Sequence, residues 1–178
     1  MANSDNARGF QLYQPGGHAE PRTAWLRVKA STIVYPNQPL KLTAAGVAGG
    51  TEVVVEPVAA AADVVYAISQ GYVSAAATGV YRVLAITDVT EHLWRTQTDG
   101  ALAGTDMGKM GAMTATAADT TTKQARNFIT YSTLAAAPGD ISDGTLWEIV
   151  GLVNEAGNVL GAYADIIVRY SYTPQPAA

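Results

Sequence analysis

The clearest alternation of apolar and polar positions lies near the end of the chain. Ile166, Val168, Tyr170 and Tyr172 alternate with Asp165, Arg169 and Ser171, with Ile167 as the apolar exception. A period of two belongs to a strand with one buried face. Just upstream, Leu146 to Val153 is apolar on both faces apart from Glu148, which predicts a strand covered on both sides. The polar connection Asn154-Glu155-Ala156-Gly157-Asn158 offers a glycine and two asparagines, types that tolerate positive φ. Together the two runs predict an antiparallel hairpin around which the rest of the chain packs.

Shorter runs precede it. Trp25 to Tyr35 alternates and is stopped by Pro36-Asn37-Gln38-Pro39, because each proline removes a ladder donor. Leu40 to Thr43 reads as a short strand that ends at Ala44-Ala45-Gly46. Thr51 to Val55, Val64 to Ile68, Tyr72-Val73 after a possible bulge at Gly71, Val80 to Thr87, His92 to Gln97 and Arg126 to Thr133 read as further strands. Ala59 to Ala62 is too short to nucleate a helix. In the glycine- and methionine-bearing stretch 101–111, Asp106 is placed to cap a short helical turn. Residues 114–123 form a Thr/Ala-rich polar loop, expected to be mobile. Roughly ten short strands separated by turn signals predict a mainly β fold, a single antiparallel β-barrel or β-sandwich with at most short helical turns.

Residues 1–24 lack periodicity. Isolated Phe10, Leu12 and Tyr13 stand among Asn, Gln, Gly and Pro. The segment reads either as a loose terminus or, the preferred expectation, as an extended N-terminal arm that docks its large apolar side chains onto a neighbouring subunit. The division expected is therefore an arm at 1–24, a β-rich domain at 25–173 and a C-terminal tail at 174–178. Arg8, Phe10, Leu12, Tyr13 and Trp25 are the candidate partner-docking residues.

Composition narrows the function classes. The hydrophobic fraction of 48% is ordinary, but only 15% of the 178 residues are charged, below the usual quarter. A lightly charged surface rich in small residues suits contact with other proteins, and equally a merely small-residue-rich genome. A net charge of −4 with no Lys/Arg cluster argues against nucleic acid as a partner. Cysteine is absent, so neither disulfides nor thiolate metal sites are expected. The polar start predicts no signal peptide. The least polar stretch, 53–68, is interrupted by Glu56, Pro57 and Asp63 and is too broken to span a membrane. The expectation is a soluble protein with no membrane partner.

The chemistry-bearing residues are sparse. His18 and His92 lack His or Cys partners at ligand spacing, so they read as surface or capping histidines and no metal is expected. Gly104-Thr105-Asp106-Met107-Gly108-Lys109-Met110 looks like a phosphate loop. It is one residue short between its glycines, however, and Met110 stands where a hydroxyl would hold magnesium. No Gly-x-Ser-x-Gly elbow occurs. Glu52, Glu56, Glu91, Glu148 and Asp165 lie on or beside expected strands, where a facing pair would resemble a glycosidase centre, although solvated strand charges are far commoner. Glu148, alone in an apolar strand, reads as half of a buried pair with an Arg such as Arg169 or Arg82, or as an intersubunit contact. Trp25, Trp94 and Trp147 would serve as sugar platforms or, more commonly, as core or interface anchors. No catalytic, cofactor-binding or metal-binding residue is expected, and no cofactor; the protein is not read as an enzyme.

Four pieces, taken in chain order, carry a resemblance. Ala2-Asn3-Ser4-Asp5-Asn6-Ala7-Arg8-Gly9-Phe10 is the first, and Tyr35-Pro36-Asn37-Gln38-Pro39-Leu40-Lys41-Leu42 the second. The third is the paired strands from Val80 followed by Gly100 to Asp106. The last is the closing hairpin from Ile149 through Asn158-Val159-Leu160-Gly161 to Arg169. In that order they resemble the head-decoration, or cement-type, structural proteins of tailed bacteriophages. Gln38 stands where the family pattern is acidic, and Asp88-Val89-Thr90 where it has Asp-Asp-Pro. The resemblance implies a virion protein on the outer surface of the capsid, a trimer or less favourably a dimer, that staples major capsid subunits at symmetry axes and carries no active site. A glycan-binding β-domain of a phage or cell-surface structure is the alternative, and a hydrolase with paired carboxylates a third reading.

Overall fold

The fold is that of a computed structural model, which describes residues 3, 7–14, 20–48, 52–60, 63–114, 118–134 and 146–171, with backbone alone at 14 and 44–48. The described residues form twelve strands in chain order: β1 (Gln11–Gln14), β2 (Thr23–Val28), β3 (Ile33–Val34), β4 (Pro39–Ala48), β5 (Glu52–Pro57), β6 (Ala67–Ser69), β7 (Val73–Ser74), β8 (Tyr81–Ile86), β9 (Leu93–Gln97), β10 (Met110–Gly111), β11 (Trp147–Leu152) and β12 (Asp165–Tyr170). Short 3-10 turns cover Val89–Glu91, Gly104–Asp106 and Tyr131–Thr133.

Two β units share the chain. One is an antiparallel sheet in the order β1-β9-β12-β11-β10, the other a closed barrel in the order β2-β5-β4-β6-β8. A two-stranded ribbon, β3-β7, stands beside them. The mainly β barrel reading therefore holds, with two additions. An open sheet joins the barrel, and β2 and β5 close the barrel through a parallel pair. Closure removes free strand edges. β1 and β9 are neighbours in the sheet, so the whole barrel is inserted between two adjacent sheet strands.

Alternation decides which side chains fill each core. Leu26, Val28, Leu40, Val55, Ala67, Val83 and Ala85 fill the barrel, with Val34 and Ala75 from the ribbon side. The sheet core holds Trp94, Trp147, Ile149, Ile166, Val168 and Tyr170, and barrel-side residues Val58, Val65, Ile68 and Ile86 reach into it. The two units therefore pack against one shared apolar layer. The Tyr170 hydroxyl accepts the Val65 N–H at 2.9 Å, a second tie between them.

The closing hairpin forms, β11 and β12 pairing antiparallel with Glu148 opposite Arg169, but β11 is not covered on both sides as expected: Val150 on its outer face is 45% exposed. Glu148 and Arg169 make an ion pair at 2.6 Å, on a half-exposed face rather than a buried one. A register shift between Ile149 and Gly151 marks a bulge. The connection is longer than the five polar residues that announce it, running from Val153 to Ala164.

Other expectations change. β4 does not stop at Thr43 but continues to Ala48 through an irregularity between Leu42 and Val47. The stretch 126–133 is not a strand. It touches the sheet through isolated bridges from Ile129 to Thr98 and Met113 and then turns at Tyr131–Thr133. Residues 118–124 form a turn in which Asp119 accepts the N–H groups of Thr121 and Thr122 and pairs with Gln124; 115–117 of the loop expected to be mobile lie outside the described residues.

The largest correction concerns the arm. Phe10 is fully buried, its ring stacked on Trp147 with centroids 4.2 Å apart and planes at 27°. The strand that follows, β1, pairs with β9 from Gln11↔Arg95 to Gln14↔Leu93. Gly9 permits the approach. Its φ is +73°, and a Cβ there would stand 2.3 Å from the Asn37 carbonyl oxygen, which accepts the Phe10 N–H at 2.9 Å. Residues 7–14 are thus part of this domain, and the side chain expected to dock on a neighbour docks at home. The physical reason is plain: a lone ring among polar residues has no period, yet burying it is worth several kcal/mol wherever a slot fits it. Residues 1, 2, 4–6 and 15–19 of the expected arm, and the tail at 174–178, lie outside the described residues.

Candidate functional site on the barrel wall

Strand alternation in β2 sends Leu26 and Val28 inward and leaves Thr23, Trp25 and Arg27 on the outer wall. Trp25 is 68% exposed, the most exposed large apolar side chain among the described residues. Across the antiparallel ladder it lies opposite Leu84 of β8, itself only half-buried. Singly exposed apolar residues are ordinary. A tryptophan so exposed on a regular strand is less so, since covering it in a partner would yield about 2–3 kcal/mol.

The ground beside Trp25 is charged and ion-paired, with one cation more than its carboxylates. Arg27 and Arg82 are direct cross-strand neighbours, an unfavourable like-charge pairing by itself. Glu52, at the start of β5, resolves it by accepting from Arg82 Nε at 3.0 Å while standing 3.9 Å from Arg27. Lys29 and Glu56 pair at the other end of β5. All these side chains are partly exposed, so each pair adds little stability. Their effect is to give the apolar Trp25–Leu84 spot a polar, ion-paired edge with one cation in excess, ground of the kind that borders protein contacts.

The remaining candidate docking residues are not gathered here. Phe10 is in the sheet core. Leu12 is half-buried against that core and lies opposite Trp94. Tyr13, 41% exposed, stands at the register shift of β1, and Arg8 is exposed at the edge of a polar cleft lined also by β9 and the connection before β12. Of the three tryptophans weighed as sugar platforms, Trp94 and Trp147 are buried and only Trp25 presents a face. The strand carboxylates are occupied by cations: Glu52 and Glu56 as above, Glu148 by Arg169, and Asp165 by Arg95 at 2.7 Å. Glu91 is exposed in the 3-10 turn at Val89–Glu91.

His92 departs from expectation. It is buried, with Nε2 3.1 Å from Asp88 Oδ1 and its ring edge-on to Trp94. Asp88 also accepts the Arg22 N–H through both oxygens, so this corner ties the entry of β2 to the start of β9. Asp106 caps its turn as expected: buried, it accepts from Lys109 Nζ at 2.7 Å and the Ala103 N–H at 2.8 Å. Lys109 first, then the amide, holds its carboxyl below the ordinary range. The phosphate-loop lookalike is thus closed by its own acid. Among the described residues no group of three or more His, Cys, Asp or Glu is placed to hold a metal ion, and no helix is long and apolar enough to cross a membrane.

The chain matches no protein-family model, no curated protein and no solved structure.

Proposed function

We propose that the protein is a head-decoration, or cement-type, protein of a tailed bacteriophage, seated on the outer surface of the capsid, where it staples major capsid subunits as a trimer. The observation that supports this most is the exposed Trp25, held on a closed barrel beside ion-paired side chains. A rigid aromatic anchor beside polar pairs is the kind of residue that dominates protein contacts. The ordered resemblance of the chain to such proteins, and a net charge of −4 that disfavours the packaged DNA, agree with it. With Phe10 withdrawn into the core, the barrel wall takes the docking role first given to the arm.

The test is binding of purified protein to expanded capsids. Trp25→Ala is expected to weaken binding on the order of 30-fold, about 2 kcal/mol, with an unchanged melting temperature because the ring contributes little to the fold. Absence of capsid binding by the unaltered protein, or equal binding by the variant, overturns the proposal.

A further inference from the structure

A second surface is built for a different ligand. Between β1, β9 and the connection before β12 lies a cleft of about 420 Å³, lined among others by Arg8, Gln11, Arg95, Gln97, Glu155 and Tyr163. None of the three tryptophans borders it. Its size falls within the range of small-molecule sites, but its lining is unlike the usual apolar pocket.

The walls are fixed before any ligand arrives. The Asn158 amide bridges both ends of the connection, donating to the carbonyls of Val153 and Asp165 and accepting the Asp165 N–H. Asn3 clamps the same connection from the N-terminal side, donating to the carbonyls of Val159 and Ala162 and accepting the Val159 N–H. Arg95 spans the floor, donating to Glu155 through both of its terminal nitrogens and to Asp165 through one. Burial works against the charge on Arg95, but these two carboxylates more than offset it and hold the guanidinium above its ordinary pKa. At the end of this clamped segment Tyr163 has φ +57°, a conformation a bulky residue keeps only where its surroundings force it. Among the described residues the other non-glycine positions with positive φ are Ser31, Asn37 and Lys123, none of which lines the cleft.

The chemistry of the lining narrows the ligand. Its two arginines and two carboxylates balance, so neither a polyanion nor a polycation is favoured. An apolar ligand would strip water from guanidinium, carboxylate and amide groups without replacing their hydrogen bonds. What suits the set is a neutral molecule whose neighbouring groups both donate and accept: the Arg8 guanidinium and the Gln11 amide are planar groups matched to vicinal hydroxyls, and the Glu155 and Asp165 carboxylates, although they hold Arg95, keep further lone pairs for them, with Tyr163 beside them. We infer that this cleft binds a neutral saccharide, with room for roughly one or two sugar rings. The inference is independent of the capsid reading and of Trp25.

The experiment titrates the full-length 15N-labelled protein with the methyl glycosides of glucose, galactose, mannose and N-acetylglucosamine, and with maltose, cellobiose and lactose. Inorganic phosphate and acetate serve as anion arms. At least one saccharide is expected to give saturable amide shifts clustered at residues 95–97, 155–158 and 163, with a Kd on the order of millimolar. Arg8→Ala and Gln11→Ala should each weaken that binding about fivefold or more while the protein still melts as the parent does. Tyr163→Gly, which accepts the backbone angle and removes only the ring, should do the same. If no saccharide gives saturable shifts, if they cluster elsewhere, if only phosphate or acetate binds, or if the three folded variants bind as the parent does, the inference is overturned.

Discussion

Truncating Phe10 to alanine tests most directly whether the N-terminal segment belongs to the domain. The ring is fully buried among the sheet core and lies flat on Trp147. Its removal forfeits transfer free energy and leaves a cavity between two β units that share this layer. Phe→Ala changes at such sites cost about 3–5 kcal/mol, of which the stacked contact itself accounts for about 1 kcal/mol. Set against a total stability on the order of 5–15 kcal/mol, that is a large fraction. For a chain of 178 residues, each kcal/mol moves the melting temperature by about 2–4 °C, so a fall of about 10 °C is expected. The assay is urea denaturation followed by tryptophan fluorescence and far-UV circular dichroism, with Tyr13→Ala as the neighbouring comparison. Tyr13, 41% exposed, should cost less than about 1 kcal/mol. A detachable arm would make both changes nearly silent. A Phe10→Ala variant within 1 kcal/mol of the parent at an unchanged m-value refutes the placement of this ring in the core.

Two further outcomes follow from the same geometry. Gly9→Ala combines a positive φ with a Cβ 2.3 Å from the Asn37 oxygen and 2.9 Å from the Ala125 side chain; it is expected to destabilise by at least about 2 kcal/mol in urea melts, and a loss under about 0.5 kcal/mol would contradict the close approach. Asp106 has a folded-state pKa below its unfolded value, so its contribution is fully present above the unfolded carboxylate value of about 3.9 and is lost as pH falls through the lowered folded one. Asp106→Asn should therefore cost about 1–3 kcal/mol at pH 7, with the gap to the parent narrowing progressively below about pH 4, and an equal gap at pH 7 and pH 2 would show that the Lys109 pair is not its source.

The sequence revealed the strands whose own alternation suffices. β8, β9, β11 and β12 stand within a residue or two of where their apolar periods place them, and Glu148, one charge in an apolar run, was legible as an arginine's partner with Arg169 among the candidates. Asp106 was legible as a cap because an acid beside glycines at a turn has few other uses. What escaped was whatever depends on a distant partner. Phe10 has no periodic neighbours, and its slot is made by Trp147 at the other end of the chain. The parallel closure of β2 on β5 leaves no local mark, since both strands would read alike in a sandwich. Arg126 to Thr133 has the residue types of a strand, but only Ile129 makes ladder bridges there. His92 read as a surface or capping residue; it does end the 3-10 turn, but its burial escaped because its partner, Asp88, and its cover, Trp94, come together only once that turn is known. The candidate docking face was half legible. Trp25 was singled out, but its charged edge was not, because Arg27, Arg82 and Glu52 come from three strands. The polar cleft gave no sequence signal at all, since its walls join residues near both ends of the chain.

The insertion of the barrel between β1 and β9 also sets an order of assembly. Every barrel strand lies between Thr23 and Ile86, so the barrel has all its material once Ile86 has been made. The sheet does not. Its centre is β12, flanked by β9 and β11, and β12 is the last strand among the described residues. Until β12 has been made, β9 has β1 on one side and an open ladder on the other, and until β11 has been made, Phe10 has no Trp147 to lie on. A ribosome-bound chain therefore carries a barrel that is able to close beside a sheet that is not, and the exposed edge of β9 is the surface a growing chain must keep from pairing with the wrong strand.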